Sequence, residues 1–260
     1  MNWIEAIILG IVQGLTEFLP ISSSGHLEIG KALLGTNPEG SLTFTVVVHG
    51  ATVLSIIVVF RNDLYRLIAD FFRFEWNAST RYITKLVVSM IPVVILGLLF
   101  EAQIERFFTG NLVFVGAMLL ITAMLLLFSH YFRSREKKIN FPRALVIGVA
   151  QALAVLPGIS RSGATISTGL MLGGKREDVT RFSFLMVLLP IIGANAKDMM
   201  DHSASAFAGI EMLPLLAGFV AAFLSGLFAC SWMIRIVNRG QLVYFAFYCI
   251  VIGLAAILLG

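Results

Sequence analysis

Two clusters of polar residues interrupt apolar stretches of the chain, and their residue types suit chemistry on a phosphate group. A serine hydroxyl becomes a nucleophile when a base lies beside it, histidine moves protons near neutral pH, and arginine binds phosphate oxygens in pairs. If the clusters meet, they bring a nucleophile, a proton carrier and an anion-binding group together. The first cluster holds Gln13, Glu17, Ser22, Ser23, Ser24, Gly25 and His26, and the second holds Ser160, Arg161, Ser162, Gly163 and Thr165.

The spacing within the first cluster predicts which side chains cooperate. Gln13 and Glu17 are four residues apart and share one helix face, which could hold a divalent cation or a nucleophile. A Gln–Glu hydrogen bond that closes a helix contact is the alternative. His26 follows Ser22 by four residues and Ser23 by three, so we expect it to reach a serine hydroxyl or a leaving oxygen. The other histidines are predicted to be structural: His49, His130 and His202.

The serines lie where the second helix of each broken segment is expected to begin. Hydroxyls at that position cap a helix, and the free N–H groups beside them form an anion site. Both interpretations stay open for Ser22–Ser24 and Ser160–Ser162. Arg161 adds a planar fork of donors that suits a phosphate or pyrophosphate, although it could instead be a structural partner of Glu17.

The composition indicates that these clusters lie inside a membrane. Of 260 residues, 58% are apolar and 13% are charged, and the mean hydropathy is +0.91. An ordinary soluble domain is nearer a quarter charged, so a soluble enzyme, a nucleic-acid-binding protein and a disordered chain are excluded as leading interpretations. Six segments are long and apolar enough to cross a bilayer: 42–60, 82–100, 110–132, 181–199, 212–234 and 241–259.

Two further apolar regions, 4–35 and 142–173, are broken by the polar clusters into pieces too short to span. A polar break cannot face lipid, because its backbone groups would lack partners. We therefore expect two re-entrant helix–loop–helix hairpins that dip into the bilayer, with ordinary surface loops as the alternative. The fold class is an all-α integral membrane protein with six transmembrane helices and two such hairpins.

The two hairpin regions also repeat each other. A shift of 138 residues aligns them without gaps and gives ten identities, among them Gln13 with Gln151 and Ser22 with Ser160. The single membrane domain, 1–260, then consists of two halves, 1–138 and 139–260, each with one hairpin and three spans. Because three is odd, the second half enters the membrane from the opposite face, which is an inverted-topology repeat.

The basic residues predict the orientation. With this topology, 15 of the 19 Lys and Arg residues fall on one face, which the positive-inside rule makes cytoplasmic. Both termini and the opening of the site are then on the outer side. The net charge of +4 is thus interpreted as a topology signal, with no nucleic-acid partner expected. The sequence leaves open whether the chain forms a homodimer.

The motifs resemble those of the undecaprenyl pyrophosphate phosphatase (bacitracin-resistance) family of bacterial inner membranes. Residues 13–26 read QGLTEFLPISSSGH and match that family's (E/Q)xxxE element with the Ser-Ser-(Ser/Thr)-Gly-His that follows it. Residues 157–165 read PGISRSGAT and match its PGxSRSxxT element. The first motif begins with Gln13 where Glu also occurs, which leaves Glu17 as its one carboxylate.

The resemblance implies hydrolysis of undecaprenyl pyrophosphate to the monophosphate, which recycles the lipid carrier of peptidoglycan synthesis and confers bacitracin resistance. It implies catalytic roles for Glu17, Ser23, His26 and Arg161 and dependence on a divalent cation. We expect Glu17, with Gln13, either to orient His26 or water or to help hold Mg²⁺ or Ca²⁺. The remaining polar residues of the two clusters are expected to bind substrate. A flippase or transporter for a lipid phosphate is the alternative, because inverted repeats with broken helices are a common transporter plan.

Overall fold

The computed structural model describes residues 2–34, 41–107, 111–132, 136–201 and 212–260. Within these ranges the regular secondary structure is helical, apart from one isolated bridge between Lys137 and Gly174. The twelve helices of the described ranges are α1 (Trp3–Phe18), α2 (Ser23–Leu34), α3 (Ser41–Val59), α4 (Arg61–Phe71), α5 (Ala78–Leu99), α6 (Glu101–Glu105), α7 (Leu112–Tyr131), α8 (Phe141–Leu153), α9 (Arg161–Met171), α10 (Arg176–Asp201), α11 (Met212–Arg239) and α12 (Val243–Leu259).

Each of the six predicted apolar segments coincides with a helix. Four helices, α5, α7, α10 and α11, are long and apolar enough to cross a membrane. A fifth crossing results if α3 and α4, which meet at an angle of 78°, are counted as one bent span. Helix α12 is apolar and 17 residues long. The protein is therefore an all-α, multi-pass membrane protein.

The first polar cluster lies at the break between α1 and α2. Helix α1 begins at a capping box, in which the Asn2 side chain accepts from the backbone of Glu5 and the Glu5 carboxylate accepts from the backbone of Asn2. It ends at Phe18 because Pro20 cannot continue a helix. Ser22 then adopts a left-handed conformation, with φ of +70°, and α2 starts at Ser23. The predicted hairpin boundary at Gly35 lies outside the described residues.

The second polar cluster lies at the break between α8 and α9. Pro157 and Gly158 occupy this break, and Gly158 has φ of +98°, a region that favours glycine. The Ser160 hydroxyl accepts from the backbone N–H of Gly163 at 3.0 Å and caps α9. The four helices that flank the two breaks have 11 to 16 residues each, fewer than the roughly 20 that a crossing helix needs.

The first helix of each hairpin packs against a long helix from the other half of the chain. Helix α1 lies along α11, and helix α8 lies along α5. Glycines occupy both crossings, because a Cβ on Gly10 would collide with the Gly218 carbonyl and one on Gly148 with the Ser89 carbonyl. Gly10 and Gly148 are equivalent positions of the repeat, so close helix packing explains why both halves have a glycine there. Helices α7 and α12 pack against each other.

Loops that carry many of the basic residues meet at one end of the molecule. The backbone N–H of Lys137 donates to the Gly173 carbonyl at 3.1 Å. Arg176 donates to the Val237 carbonyl at 3.3 Å. The first bond joins the segment before α8 to the end of the α9 hairpin, and the second joins the start of α10 to the last turns of α11. At the start of α4, Asp63 forms an ion pair of 2.6 Å with Arg181, so α4 joins α10.

Helix α4 was not predicted, because its residues follow a span and resemble a charged loop. It carries Arg61, Asp63 and Arg66 between apolar positions. Several of its aromatic and apolar side chains, and those that follow it, are exposed: Tyr65, Ile68, Phe71, Phe72, Phe74 and Trp76. This combination is typical of an amphipathic helix that lies in the membrane interface.

Candidate active site

The two breaks are in direct contact. The Ser22 hydroxyl accepts a hydrogen bond from the backbone N–H of Gly158 at 3.2 Å. The Ser162 hydroxyl donates to the Leu19 carbonyl at 3.2 Å. A Cβ added to Gly25 would lie 3.2 Å from the Gly158 Cα, so a larger residue would push the breaks apart. The two polar clusters, which are 138 residues apart in sequence, thus form one site.

Helix α7 supports the second break from the side. The Thr122 hydroxyl accepts from the backbone N–H of Ser160 at 2.9 Å and donates to the Gly158 carbonyl at 3.0 Å. Thr122 is fully buried. Sequence reasoning missed this residue, although a threonine in the middle of an apolar span is a signal for a buried hydrogen bond.

Glu17 is the centre of the hydrogen-bond network. Its Oε2 atom accepts from the Ser23 hydroxyl at 2.6 Å and from Gln13 Nε2 at 2.9 Å. The Glu17 side chain is 5% exposed, so this carboxylate lies almost entirely out of solvent. No described residue donates to its Oε1 atom. The expected Gln–Glu hydrogen bond is therefore present, and it leaves half of the carboxylate free for another ligand.

Ser23 differs from the other hydroxyl groups of the clusters because its partner is a carboxylate. Such a short bond from a hydroxyl to a carboxylate oxygen is charge-assisted, and it places a base in contact with a candidate nucleophile. The others bond to backbone groups or to one another: Ser22 to Gly25 and Gly158, Ser24 to Ser22, Ser160 to Gly163, Ser162 to Leu19 and Ser160, and Thr165 to Arg161. The capping interpretation thus describes Ser22 and Ser160 well, and Ser23 has the geometry of a nucleophile.

Arg161 occupies the first position of α9 and is half-buried. Its charge acts on the Glu17 carboxylate, but the two side chains do not form an ion pair within 4.0 Å. The guanidinium has no hydrogen bond to a side chain or carbonyl of the described ranges. Arg161 is thus not the structural partner of Glu17 that the alternative interpretation required, and its donors are available to an anion.

His49, which was predicted to be structural, lies beside Glu17. Its Nε2 atom lies 3.8 Å from Oε2 of Glu17, while its Nδ1 donates to the Thr45 carbonyl at 2.8 Å. The bond to a carbonyl fixes the proton on Nδ1. A protonated His49 would therefore turn Nε2–H towards Glu17. The available signal was an ionisable residue inside an apolar span, which is a functional candidate by default. His202 lies outside the described residues.

His26 has different partners from those predicted. Its Nδ1 lies 2.8 Å from the Ser22 carbonyl, and its Nε2 lies 2.9 Å from the hydroxyl of Tyr248, so neither nitrogen bonds a serine hydroxyl. The helix begins at Ser23, which turns the His26 ring away from the Ser23 side chain and towards α12. Sequence reasoning missed Tyr248, which lies 222 residues away in an apolar helix.

The donor atoms beside Glu17 fit a divalent cation that binds oxygen. Gln13 is fully buried, and its Oε1 atom has no hydrogen-bond partner. A buried amide oxygen without a partner, next to a free carboxylate oxygen, provides two of the six to eight oxygen ligands that Mg²⁺ or Ca²⁺ takes. The described residues contain no group of three or more His, Cys, Asp and Glu side chains that could bind a metal alone. Substrate oxygens and water would have to supply the remaining ligands.

An apolar groove of about 570 Å³ opens beside His26, between α1 and the helices α11 and α12. His26 and Tyr248 lie on its wall together. The other lining residues are Val12, Leu15, Thr16, Leu19, Ile21, Trp232, Ile236, Gln241, Tyr244 and Phe245. The polar site and an apolar groove therefore share one boundary, as a substrate with a charged head and an apolar tail requires.

The family comparison agrees with this geometry. Residues 6–255 match the family model described as bacitracin resistance protein BacA. A protein of Christiangramia forsetii named undecaprenyl-diphosphatase is 54% identical over 260 residues, which cover 99% of this chain and 98% of that protein. Proteins of the same name from Bacteroides fragilis and Korarchaeum cryptofilum are 50% and 38% identical over 98% or more of both chains. The chain therefore belongs to the bacitracin resistance protein BacA family.

Proposed function

We infer that the protein hydrolyses undecaprenyl pyrophosphate to undecaprenyl phosphate and inorganic phosphate. The observation that carries this inference is the 2.6 Å bond between the Ser23 hydroxyl and the buried Glu17 carboxylate, beside the free guanidinium of Arg161. The names of the family members identify the substrate. Release of the lipid monophosphate recycles the carrier of peptidoglycan synthesis and confers bacitracin resistance.

Binding of the pyrophosphate is assigned to Arg161 and the helix starts. The first N–H groups of a helix have no partner within it, and Ser22 and Ser160 each satisfy one of them. The remaining N–H groups at the starts of α2 and α9, together with the Arg161 fork, bind the phosphate oxygens. The same donors stabilise the charge that develops during transfer, and such positioning and electrostatics supply most of the rate in phosphoryl transfer.

Transfer proceeds in two steps in this proposal. The Ser23 oxygen attacks the terminal phosphorus while its proton passes to Glu17, and the bond to the bridging oxygen breaks to release undecaprenyl phosphate. Water then attacks the phosphoserine, its proton passes to His26, and Ser23 regains its proton from Glu17 as inorganic phosphate leaves. His26 afterwards releases its proton to solvent. The assignment of Glu17 as the base for Ser23 replaces the predicted role of His26, because Ser23 contacts Glu17.

A divalent cation would be held by Glu17, Gln13 Oε1 and oxygens of the pyrophosphate. Bound there, it neutralises substrate charge and orients the terminal phosphate. The buried, unpartnered Gln13 Oε1 supports this site. The apolar groove takes the first isoprene units of the lipid, and the rest of the tail remains in the bilayer. His26 at the boundary of groove and polar site supports this placement.

We further infer how the chain is arranged in the membrane. The two hairpins are re-entrant, six helices span, and the halves 1–138 and 139–260 form an inverted repeat in the inner membrane. The short hairpin helices and the reciprocal packing of α1 on α11 and α8 on α5 support this arrangement. The basic segments that meet at one end support a cytoplasmic face there, with both termini and the site opening on the outer side.

A reporter at the C-terminus tests the orientation. We expect alkaline phosphatase, which is active only outside the cytoplasm, to be active when fused after Gly260. A fluorescent protein that folds only in the cytoplasm should stay dark at the same position. The reverse pattern would place the termini inside and overturn the orientation. Fusions at Arg239, on the opposite face, are the matched control and should give the reverse pattern.

Phosphate release by the purified protein in detergent tests the function. We expect the wild-type protein to convert undecaprenyl pyrophosphate to undecaprenyl phosphate and to release one inorganic phosphate per lipid. In the Ser23→Ala variant the rate of phosphate release should fall by roughly 10²-fold or more. Detergent micelles have no transmembrane gradient, so a flippase would release nothing. A wild-type protein that leaves the pyrophosphate intact would contradict the proposed function.

A further inference from the structure

Tyr248 is bound to the histidine of the site in two ways. Its hydroxyl lies 2.9 Å from Nε2 of His26, and its ring stacks on the imidazole with centroids 5.6 Å apart and planes 13° from parallel. The side chain is 40% exposed and lines the apolar groove. It belongs to α12, in the last part of the chain, and no motif of the two clusters includes it.

The other nitrogen of His26 determines the direction of this bond. A carbonyl oxygen only accepts, so Nδ1, at 2.8 Å from the Ser22 carbonyl, carries a proton. In the neutral imidazole Nε2 is then an acceptor, and the Tyr248 hydroxyl donates to it. The hydroxyl can pass its proton to Nε2 as its oxygen takes up a proton from water, and the phenol oxygen then accepts from Nε2–H. A hydroxyl both donates and accepts, so the same contact survives the proton transfer.

We propose that Tyr248 positions His26 and links it to the attacking water: it fixes the imidazole at the boundary of groove and phosphate site, passes a proton to Nε2 as it takes one from water, and remains hydrogen-bonded to Nε2 before and after that transfer. Ser22 and Tyr248 hold the ring from opposite nitrogens, and the stacked phenol limits its rotation. This inference rests on the proposed function, since it assigns Nε2 as the atom that accepts the proton of the attacking water.

The position of Tyr248 in the groove also predicts an effect on binding of the lipid tail. Tyr248 lines the groove, so a lipid tail bound there would contact its ring, whereas the hydroxyl bonds to His26. Loss of the hydroxyl alone should therefore affect proton transfer equally for long and short tails. Loss of the whole ring should also weaken binding of the long tail.

The test compares Tyr248→Phe and Tyr248→Leu in the full-length protein, with undecaprenyl pyrophosphate and farnesyl pyrophosphate as substrates. For Tyr248→Phe we expect kcat to fall about 2- to 10-fold on both substrates, the value of one hydrogen bond, with KM within about 2-fold of wild type. The pH profile of kcat should move by about half a unit, because the partner of Nε2 has changed. Tyr248→Leu should in addition raise KM for the long substrate.

Tyr65→Phe is the matched control, since Tyr65 is an exposed tyrosine on α4 away from both hairpins. It should keep the wild-type kcat and pH profile. A Tyr248→Phe protein with wild-type kcat would overturn the inference, and so would a lower kcat with an unmoved pH profile, which indicates a purely structural role. These outcomes require an active wild-type protein, so they differ from failure of the proposed function, in which the wild type itself releases no phosphate.

Discussion

Glu17→Gln should lower kcat for phosphate release by roughly 10²- to 10⁴-fold, the range found when a general base is removed. The amide has the same shape as the carboxylate but cannot take the proton of Ser23, which now lies 2.6 Å from Oε2. Oε2 of Glu17 now accepts from both Ser23 and Gln13. The amide of the variant has N–H donors of its own, so the bond from Gln13 Nε2 is weakened or lost. Steady-state phosphate release from undecaprenyl pyrophosphate in detergent measures the effect.

The expected KM distinguishes this role from substrate binding. Because Glu17 is also assigned to the divalent cation, KM is compared at a saturating cation concentration. Under that condition, loss of the negative charge beside the pyrophosphate should leave KM unchanged or lower it. Glu28→Gln is the matched control on the same hairpin, because Glu28 pairs with Lys31 at 3.6 Å and takes no part in the site. A Glu17→Gln protein with kcat within about 3-fold of wild type would contradict the assignment of the base.

Long periodic features were predictable from the sequence because they depend on local composition. The apolar runs of α5, α7, α10 and α11 reach the length that a bilayer requires, and Pro20 and Pro157 lie in the breaks that follow the first helix of each hairpin, where proline disfavours continuation of the helix. The spacing of Gln13 and Glu17 similarly predicted their hydrogen bond, because residues four apart on a helix are neighbours.

The partners of the site residues were less predictable because they depend on where separate helices begin and cross. The positive φ of Ser22 determines that Ser23, rather than His26, faces Glu17. His49 and Tyr248 reach the site from α3 and α12, and no local spacing relates them to the hairpins. Each of these two is nevertheless a polar residue in an apolar segment, and that feature marks a residue as a candidate for the site.

Helix α4, which follows the bend after α3, was also missed by sequence reasoning. The apolar segment was predicted to end near residue 60, and it does, but the following residues form a helix turned by 78°. Charged residues alone suggested a loop. The exposed Tyr65, Phe71 and Phe72 between those charges are the feature that distinguishes an interfacial helix from a loop.

Arg161→Ala should lower kcat/KM by about 10³-fold or more, through a rise in KM as well as a fall in kcat. The guanidinium has no side-chain or carbonyl partner among the described residues, and the proposed function assigns its donors to the substrate. Charge-assisted bonds to phosphate oxygens stabilise the bound pyrophosphate, and they strengthen as charge develops in the transition state. An arginine that stabilises a transferring phosphoryl group contributes effects of this size.

Arg161→Lys separates charge from geometry. It keeps a positive charge near Glu17 but loses the planar fork, so it should recover part of the activity and lie between Arg161→Ala and wild type. Because no hydrogen bond within the described ranges depends on the Arg161 side chain, both variants should fold, and an unchanged elution profile in detergent checks this. Arg73→Ala is the matched control, since Arg73 is 67% exposed and lies beyond α4. Near-normal phosphate release by Arg161→Ala would show that the pyrophosphate binds elsewhere, and the assignment of the site would fail with it.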